Sequence, residues 1–191
     1  GKEIQERGKI SSIVHYHNSY FVGFLMDGIL LLEKQKETNH YQIQSLPINS
    51  GVFCLKKDRF QDVVWIGTDG QGVYLYSNPL YSIKSMVLSN YTEKIERPVR
   101  AIYLDDERTF WVGTKGNGIL KIYDYEFDKN ISDCRAEVLT TSNSALSSNA
   151  VYCFAKSHRN LLWIGDEEGL TYYSYREKRI KSIPIRIGNE D

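Results

Sequence analysis

The sequence predicts an all-β fold, a β-propeller of about four four-stranded antiparallel blades forming a segment of a larger ring. Three observations carry this. A short string recurs as Val64-Trp65-Ile66-Gly67-Thr68-Asp69-Gly70-Gln71-Gly72-Val73-Tyr74, as Phe110-Trp111-Val112-Gly113-Thr114-Lys115-Gly116-Asn117-Gly118-Ile119-Leu120 and as Leu162-Trp163-Ile164-Gly165-Asp166-Glu167-Glu168-Gly169-Leu170. A weaker copy runs from Tyr20 through Phe21, Gly23 and Gly28 to Leu30, with Phe21 in the tryptophan slot. The four aromatic anchors then fall 44, 46 and 52 residues apart, a period that propeller-type arrays produce. The composition agrees, since 14 tyrosines, 7 phenylalanines and 3 tryptophans favour strands over helices.

Each repeat reads as four strands. The first alternates with period two, as in Ser12-Ile13-Val14-His15-Tyr16, Val52-Phe53-Cys54-Leu55, Val99-Arg100-Ala101-Ile102-Tyr103-Leu104 and Val151-Tyr152-Cys153-Phe154. A polar turn leads into the tryptophan strand. A glycine loop follows, where the backbone calls for positive φ. The third strand is Val73-Tyr74-Leu75-Tyr76 and its counterparts, and the fourth is an outer strand such as Tyr41-Gln42-Ile43-Gln44 or Ile180-Lys181-Ser182-Ile183-Pro184-Ile185. The blades fall at roughly 8–45, 46–94, 95–144 and 145–191 of one domain spanning 1–191, and residues 2–6 read as the outer strand of a preceding blade.

The repeated residues have physical roles. Phe21, Trp65, Trp111 and Trp163 are large flat groups suited to the wedge between blades, where burial contributes about 25 cal/mol per Å². Gly23, Gly67, Gly113 and Gly165 follow two positions later, where a side chain would collide with the adjacent strand. Gly28, Gly72, Gly118 and Gly169 close the loop ahead of the third strand. Cys54 and Cys153 share a slot with Ser12 and Ala101, which points to a small packing residue rather than a disulfide.

Several function classes are disfavoured. Lys+Arg and Asp+Glu are both 24, and the stretch Arg176–Lys181 reads as a solvated turn, so nucleic acid is not an expected partner. His15 and His17 share a face of a predicted strand, yet no carboxylate or cysteine pattern joins them, and no metal site or cofactor is predicted. Nucleophile and phosphate-loop motifs are missing, while Asp105-Asp106-Glu107 and Asp166-Glu167-Glu168 read as turn charge, so no catalytic residue is assigned. No apolar run is long enough to span a bilayer, so no membrane insertion by this segment is expected. With methionine at positions 26 and 86 but not at the start, the chain reads as a piece of something longer.

The order Leu146-Ser147-Ser148-Asn149-Ala150-Val151, an inner strand, a polar turn, then Leu162-Trp163-Ile164-Gly165 resembles the two-component regulator propeller repeat of Bacteroides-type hybrid two-component proteins. Trp65 to Tyr74 and Trp111 to Leu120 resemble its centre closely. The first copy is degenerate, and the fourth has Asp166 where threonine is expected and a loop one residue shorter. The resemblance implies a periplasmic sensor region, built as a seven-bladed propeller, of a histidine kinase anchored in the inner membrane. It also implies recognition of polysaccharide-derived oligosaccharides, with no enzymatic activity in this segment. Loops entering the inner strands lie on the face where such scaffolds bind ligands, which makes Arg97, Arg100, Asn149 and Tyr152 the candidate ligand-binding residues. Exposed blade flanks predict self-association or packing with the rest of the parent ring. A closed propeller acting as a protein-interaction scaffold, with residues 3–5 sealing against the last blade, and a propeller lyase are the alternatives.

Overall fold

The computed structural model describes residues 2–35, 38, 40–77, 82–86, 97–125 and 134–183, with the backbone alone of residues 2–3 and 82–86. Among these, strands assemble into four separate antiparallel sheets, each ordered as in the sequence. Blade 1 holds β1 (Ile10–Tyr16), β2 (Ser19–Phe24), β3 (Ile29–Lys34) and β4 (Tyr41–Ser45). Blade 2 holds β5 (Val52–Lys57), β6 (Val63–Thr68), β7 (Val73–Ser77) and β8 (Ser82–Met86). Blade 3 holds β9 (Val99–Leu104), β10 (Phe110–Thr114), β11 (Ile119–Ile122) and β12 (Ala136–Leu139). Blade 4 holds β13 (Val151–Lys156), β14 (Leu161–Asp166), β15 (Gly169–Ser174) and β16 (Arg179–Ser182). The inner strands pack in chain order, β1 on β5, β5 on β9 and β9 on β13, which gives an arc of propeller blades.

The core consists of the seams between blades. Phe21 packs with Tyr76, Val64 and Ile66 of blade 2, Trp65 with Phe110 and Val112 of blade 3, and Trp111 with Tyr173 and Ile164 of blade 4. Each seam is keyed by a fully buried valine. Val52, Val99 and Val151 open the inner strands and press against the glycine of the preceding blade. A Cβ on Gly23 would lie 2.7 Å from Val52 Cγ1, on Gly67 3.0 Å from Val99 Cγ1, and on Gly113 2.8 Å from Val151 Cγ1. The small-residue slot is explained by the same packing, because Ser12, Cys54, Ala101 and Cys153 sit directly opposite those glycines and Gly165 in register. Cys54 is a free thiol, and burial pushes its pKa up to about 12, so it packs as an apolar group.

Two indoles are also tied to the turn beneath them. Asp58 accepts the Trp65 indole N–H at 2.8 Å and the backbone N–H groups of Phe60 and Gln61. Asp105 does the same for Trp111 at 2.9 Å and for Glu107 and Thr109. Both carboxylates are buried, so their lone pairs are satisfied by the hairpin and the ring together. At the other end of the strand, the hydroxyls of Thr68 and Thr114 donate to Gly72 O and Gly118 O, closing glycine loops whose glycines have φ of 75° and 74°.

The structure departs from the sequence reading in several places. Residues 2–6 are not an outer strand: Lys2–Glu6 forms a short helix, α1, and Ile4 packs against Val22, Phe24 and Leu30 of blade 1. A lone edge segment with no strand beside it gains more by covering that apolar flank. Among the described residues it therefore does not seal against blade 4, and it covers only part of the blade 1 flank, where Ile13 is 59% exposed. His15 and His17 do not share a strand face. β1 ends at Tyr16, and His17 enters the turn at φ 52°, where its Nε2 meets Asp62 of blade 2 at 2.7 Å. In blade 4, Asp166 replaces the loop-closing threonine, accepting the Glu168 and Gly169 N–H groups and the Ser147 hydroxyl. This is how a shorter loop still closes. Of the outer strand expected at 180–185, positions 184 and 185 lie outside the described residues.

Two substitutions test this packing. Gly113→Ala forces a methyl against Val151 and Ala101 and is expected to lower the free energy of urea unfolding by about 1–3 kcal/mol. Asp105→Ala orphans a buried indole N–H and is expected to cost about 1–3 kcal/mol from that group alone, with a visible change in near-ultraviolet circular dichroism from Trp111.

Candidate functional site

All four inner strands carry a β-bulge at the same place. Val52 pairs with Thr68 and Cys54 with Gly67, which leaves Phe53 between them as the extra residue. By the same register the extra residues elsewhere are Ser11, Arg100 and Tyr152. A bulge re-aims a side chain out of the normal alternation. Because the inner strands are neighbours, these four side chains form a row across the arc. The Ser11 hydroxyl donates to Val52 O across the first seam. The Arg100 guanidinium carbon lies 4.6 Å from the Phe53 ring centre and 5.4 Å from that of Tyr152, so a blade 3 cation sits between aromatic rings of blades 2 and 4. Its buried Nε has no hydrogen-bond partner.

The four residues singled out from the sequence have different settings. Arg100 and Tyr152 meet in this row. Arg97 is exposed at the entry to β9, its Cγ 3.9 Å from the position a Cβ on Gly116 would take. Asn149 is committed to the scaffold: its carbonyl accepts the N–H groups of Gly116 and Gly118 at 2.9 and 2.8 Å, and its side-chain oxygen accepts that of Thr141 at 2.9 Å. Phe53 and Ser11 were missed. The signal for Phe53 was present as a shared valine–x–small pattern in Val52-Phe53-Cys54, Val99-Arg100-Ala101 and Val151-Tyr152-Cys153, but only strand pairing shows that the middle residue is the bulged one.

A cavity of about 410 Å³ opens at the hairpin end of the seam between blades 3 and 4. Its floor is Lys121, only 4% exposed, lying 4.7, 4.6 and 4.4 Å from the ring centres of Trp111, Tyr123 and Tyr173. The ammonium donates to Tyr123 Oη at 2.8 Å, Tyr173 Oη at 3.0 Å and Glu137 at 3.2 Å, so all three protons are used. Burial opposes the charge on Lys121, but the tyrosine hydrogen bonds outweigh it and hold its pKa above the ordinary lysine value. Burial likewise works against the Glu137 carboxylate, which the Tyr123 hydroxyl and the Lys121 ammonium nevertheless keep ionised to below its ordinary value. A lysine locked in its charged form is a clasp between blades rather than a proton acceptor. Among the described residues there is no cluster of three or more His, Cys, Asp or Glu placed to hold a metal ion.

The sign of the pH dependence follows. Glu137 stabilises the fold above its unfolded value near 4.5 and loses that contribution as pH falls through the depressed folded value. Lys121 contributes fully below 10.5 and loses its contribution as pH rises through the elevated folded value. Denaturation midpoints measured across pH are therefore expected to decline at both extremes, and Lys121→Met is expected to flatten the alkaline arm.

The fold and its bulged inner rim define a propeller segment, and known proteins can be set beside it. No family model matches the chain. One curated protein is similar over part of its length: translation initiation factor 6 of Saccharolobus solfataricus, 30% identical over 138 residues, covering 65% of this chain and 56% of the factor. Among solved structures, the extracellular domain of a putative hybrid two component system from B. thetaiotaomicron superposes with a TM-score of 0.70 at 23% identity, covering 91% of this chain and 22% of that one. The extracellular domain of a putative one component system from the same organism gives 0.65 at 21% identity, covering 86% and 21%. The computationally designed Ika4 protein gives 0.60 at 12% identity, covering 87% of this chain and 91% of the design. The chain thus spans just over half of the initiation factor and about a fifth of either natural domain.

Proposed function

We propose that this chain is a recognition segment of an extracytoplasmic sensor, binding a polysaccharide-derived oligosaccharide at the inner rim of its blades and acting without catalysis of its own. The observation that carries the reading is the bulge row, in which Phe53, Arg100 and Tyr152 from three blades meet at one place. Aromatic faces beside a guanidinium that no described carboxylate pairs suit a sugar ring, which offers C–H groups to one and hydroxyls to the other. The likeness in fold to extracellular domains of a putative hybrid two component system and a putative one component system supports a sensor over a propeller lyase, and the Lys121 clasp offers no base for elimination. The likeness to the initiation factor takes in 65% of this chain, against 91% and 86% for the two extracellular domains.

In this reading the parent protein is a histidine kinase anchored in the inner membrane, and the segment faces the periplasm. Its open flanks support the blade contacts that such a ring needs. On blade 4 a cavity of about 510 Å³ is lined by Leu161, Trp163 and Tyr172, the face that in blades 1 to 3 meets the next blade. Blade 1 presents Ile13, Tyr20 and Tyr41 on the complementary side. These faces pair with further blades of the parent ring or with a second copy of the chain.

Calorimetric titration of a panel of neutral and charged oligosaccharides tests the proposal. At least one member is expected to bind, and Phe53→Ala or Tyr152→Ala is expected to weaken it by about 3- to 10-fold with little change in melting temperature. Binding that is unchanged in both variants would remove the inner rim as the site.

A further inference from the structure

Blade 3 concentrates unpaired positive charge at the entry to its inner strand. Arg100 sits in the bulge, Arg97 lies three positions earlier, and Lys115, on the glycine loop, is held beside that entry by its N–H bond to Pro98 O at 2.9 Å and its bridge to Ala150. None of the three side chains has an ion pair or a side-chain hydrogen bond among the described residues. Arg7, Arg59, Lys121, Lys156, Arg179 and Lys181 face carboxylates; what sets these three apart is that they share one strand entry. Acidic groups are close by in the fold, on the glycine loops of blades 2 and 4. Yet Asp69 and Glu167 meet the entry strands through their backbone N–H groups, which bond to Gly51 O and Ala150 O, and their carboxylates join no cation among the described residues. Among the described residues three cations thus gather at one strand entry with no carboxylate bonded to them, an arrangement that favours an anion.

The Arg100 setting adds geometry to that field. Rings approach the guanidinium at 4.6 and 5.4 Å, and Nε is buried without an acceptor. With Nε buried, the terminal N–H groups at the outer edge of the guanidinium are the ones left to meet the two oxygens of a carboxylate or sulfate.

We infer that the inner rim takes an acidic oligosaccharide, whose carboxylate or sulfate oxygens are gripped by Arg100 with Arg97 and Lys115 supplying field, while Phe53 and Tyr152 carry the adjoining sugar ring. This rests on the oligosaccharide reading above and adds the charge of the ligand to it.

The test compares three oligosaccharides of equal length by calorimetry at fixed ionic strength: an oligogalacturonate, a sulfated neutral-sugar oligomer and an unmodified neutral oligomer. One acidic series is expected to bind at least 10-fold tighter than the neutral oligomer, and which of the two it is identifies the anionic group. Raising the salt concentration is expected to narrow the gap. Arg100→Gln is expected to abolish the preference, and Lys115→Gln, at an exposed position, to reduce it several-fold without touching the rings. Equal binding of neutral and acidic oligomers, or a preference that survives both substitutions, would overturn the charge assignment while leaving oligosaccharide recognition standing. Failure of all three to bind would overturn both.

Discussion

Everything in this fold depends on one contact, repeated at each seam: a valine at the head of an inner strand seated against a glycine two residues beyond the aromatic anchor of the previous blade. The valine is wholly buried, and the glycine leaves no room for a Cβ. This close approach lets the anchor cover the next blade, as Trp65 covers Phe110 at 4.1 Å between ring centres and Trp111 covers Tyr173 at 4.8 Å. Burial of large rings is the dominant favourable term for such sheets, which individually expose both faces. The buried aspartates then fix the anchors in rotation, since an indole bonded to Asp58 or Asp105 cannot turn without leaving its buried N–H and a carboxylate oxygen unpaired.

The candidate site follows from the same contact. Seating the valine at depth while keeping the small residue opposite the glycine requires one extra residue between them, so the inner strand bulges. The extra residue has nowhere to pack within its own blade and projects at the inner rim. What the bulge carries is therefore free to vary, as serine, phenylalanine, arginine and tyrosine do here. Structure fixes the position, and chemistry is written onto it. Packing of the seam and recognition at the rim thus draw on adjacent residues without competing.

Much of this was legible in the sequence, because the repeat is its own control: four copies of one string reveal which positions are held and which vary. Strand order, the wedge role of Trp65 and Trp111, the glycine collisions and the small-residue slot all follow from comparing copies. What was not legible required pairing or neighbours. The helix at Lys2–Glu6 has the same Glu-Ile-Gln flavour as an outer strand, and only the apolar flank of blade 1 beneath Ile4 decides between them. The turn at His17 hides inside an alternating run. The grouping of Phe53 with Arg100 and Tyr152 depends on a register slip that no single strand displays. Asn149 heads an inner strand, and only the fold shows that its carbonyl and side-chain oxygen accept backbone N–H groups of residues 116, 118 and 141.

The seam contact makes the three tryptophans inequivalent, and that is its most direct consequence. Trp65 and Trp111 are fully buried under a following blade, and Trp163 lines the end flank of blade 4, where among the described residues Tyr172 is its one ring partner, at 5.5 Å. Fluorine NMR of the chain labelled with 5-fluorotryptophan should therefore show three resonances, two without a solvent isotope shift and one with it, the last assigned by Trp163→Phe. Three resonances with equal solvent shifts, or a shifted resonance lost on replacing Trp65 or Trp111, would contradict the stacked-blade account.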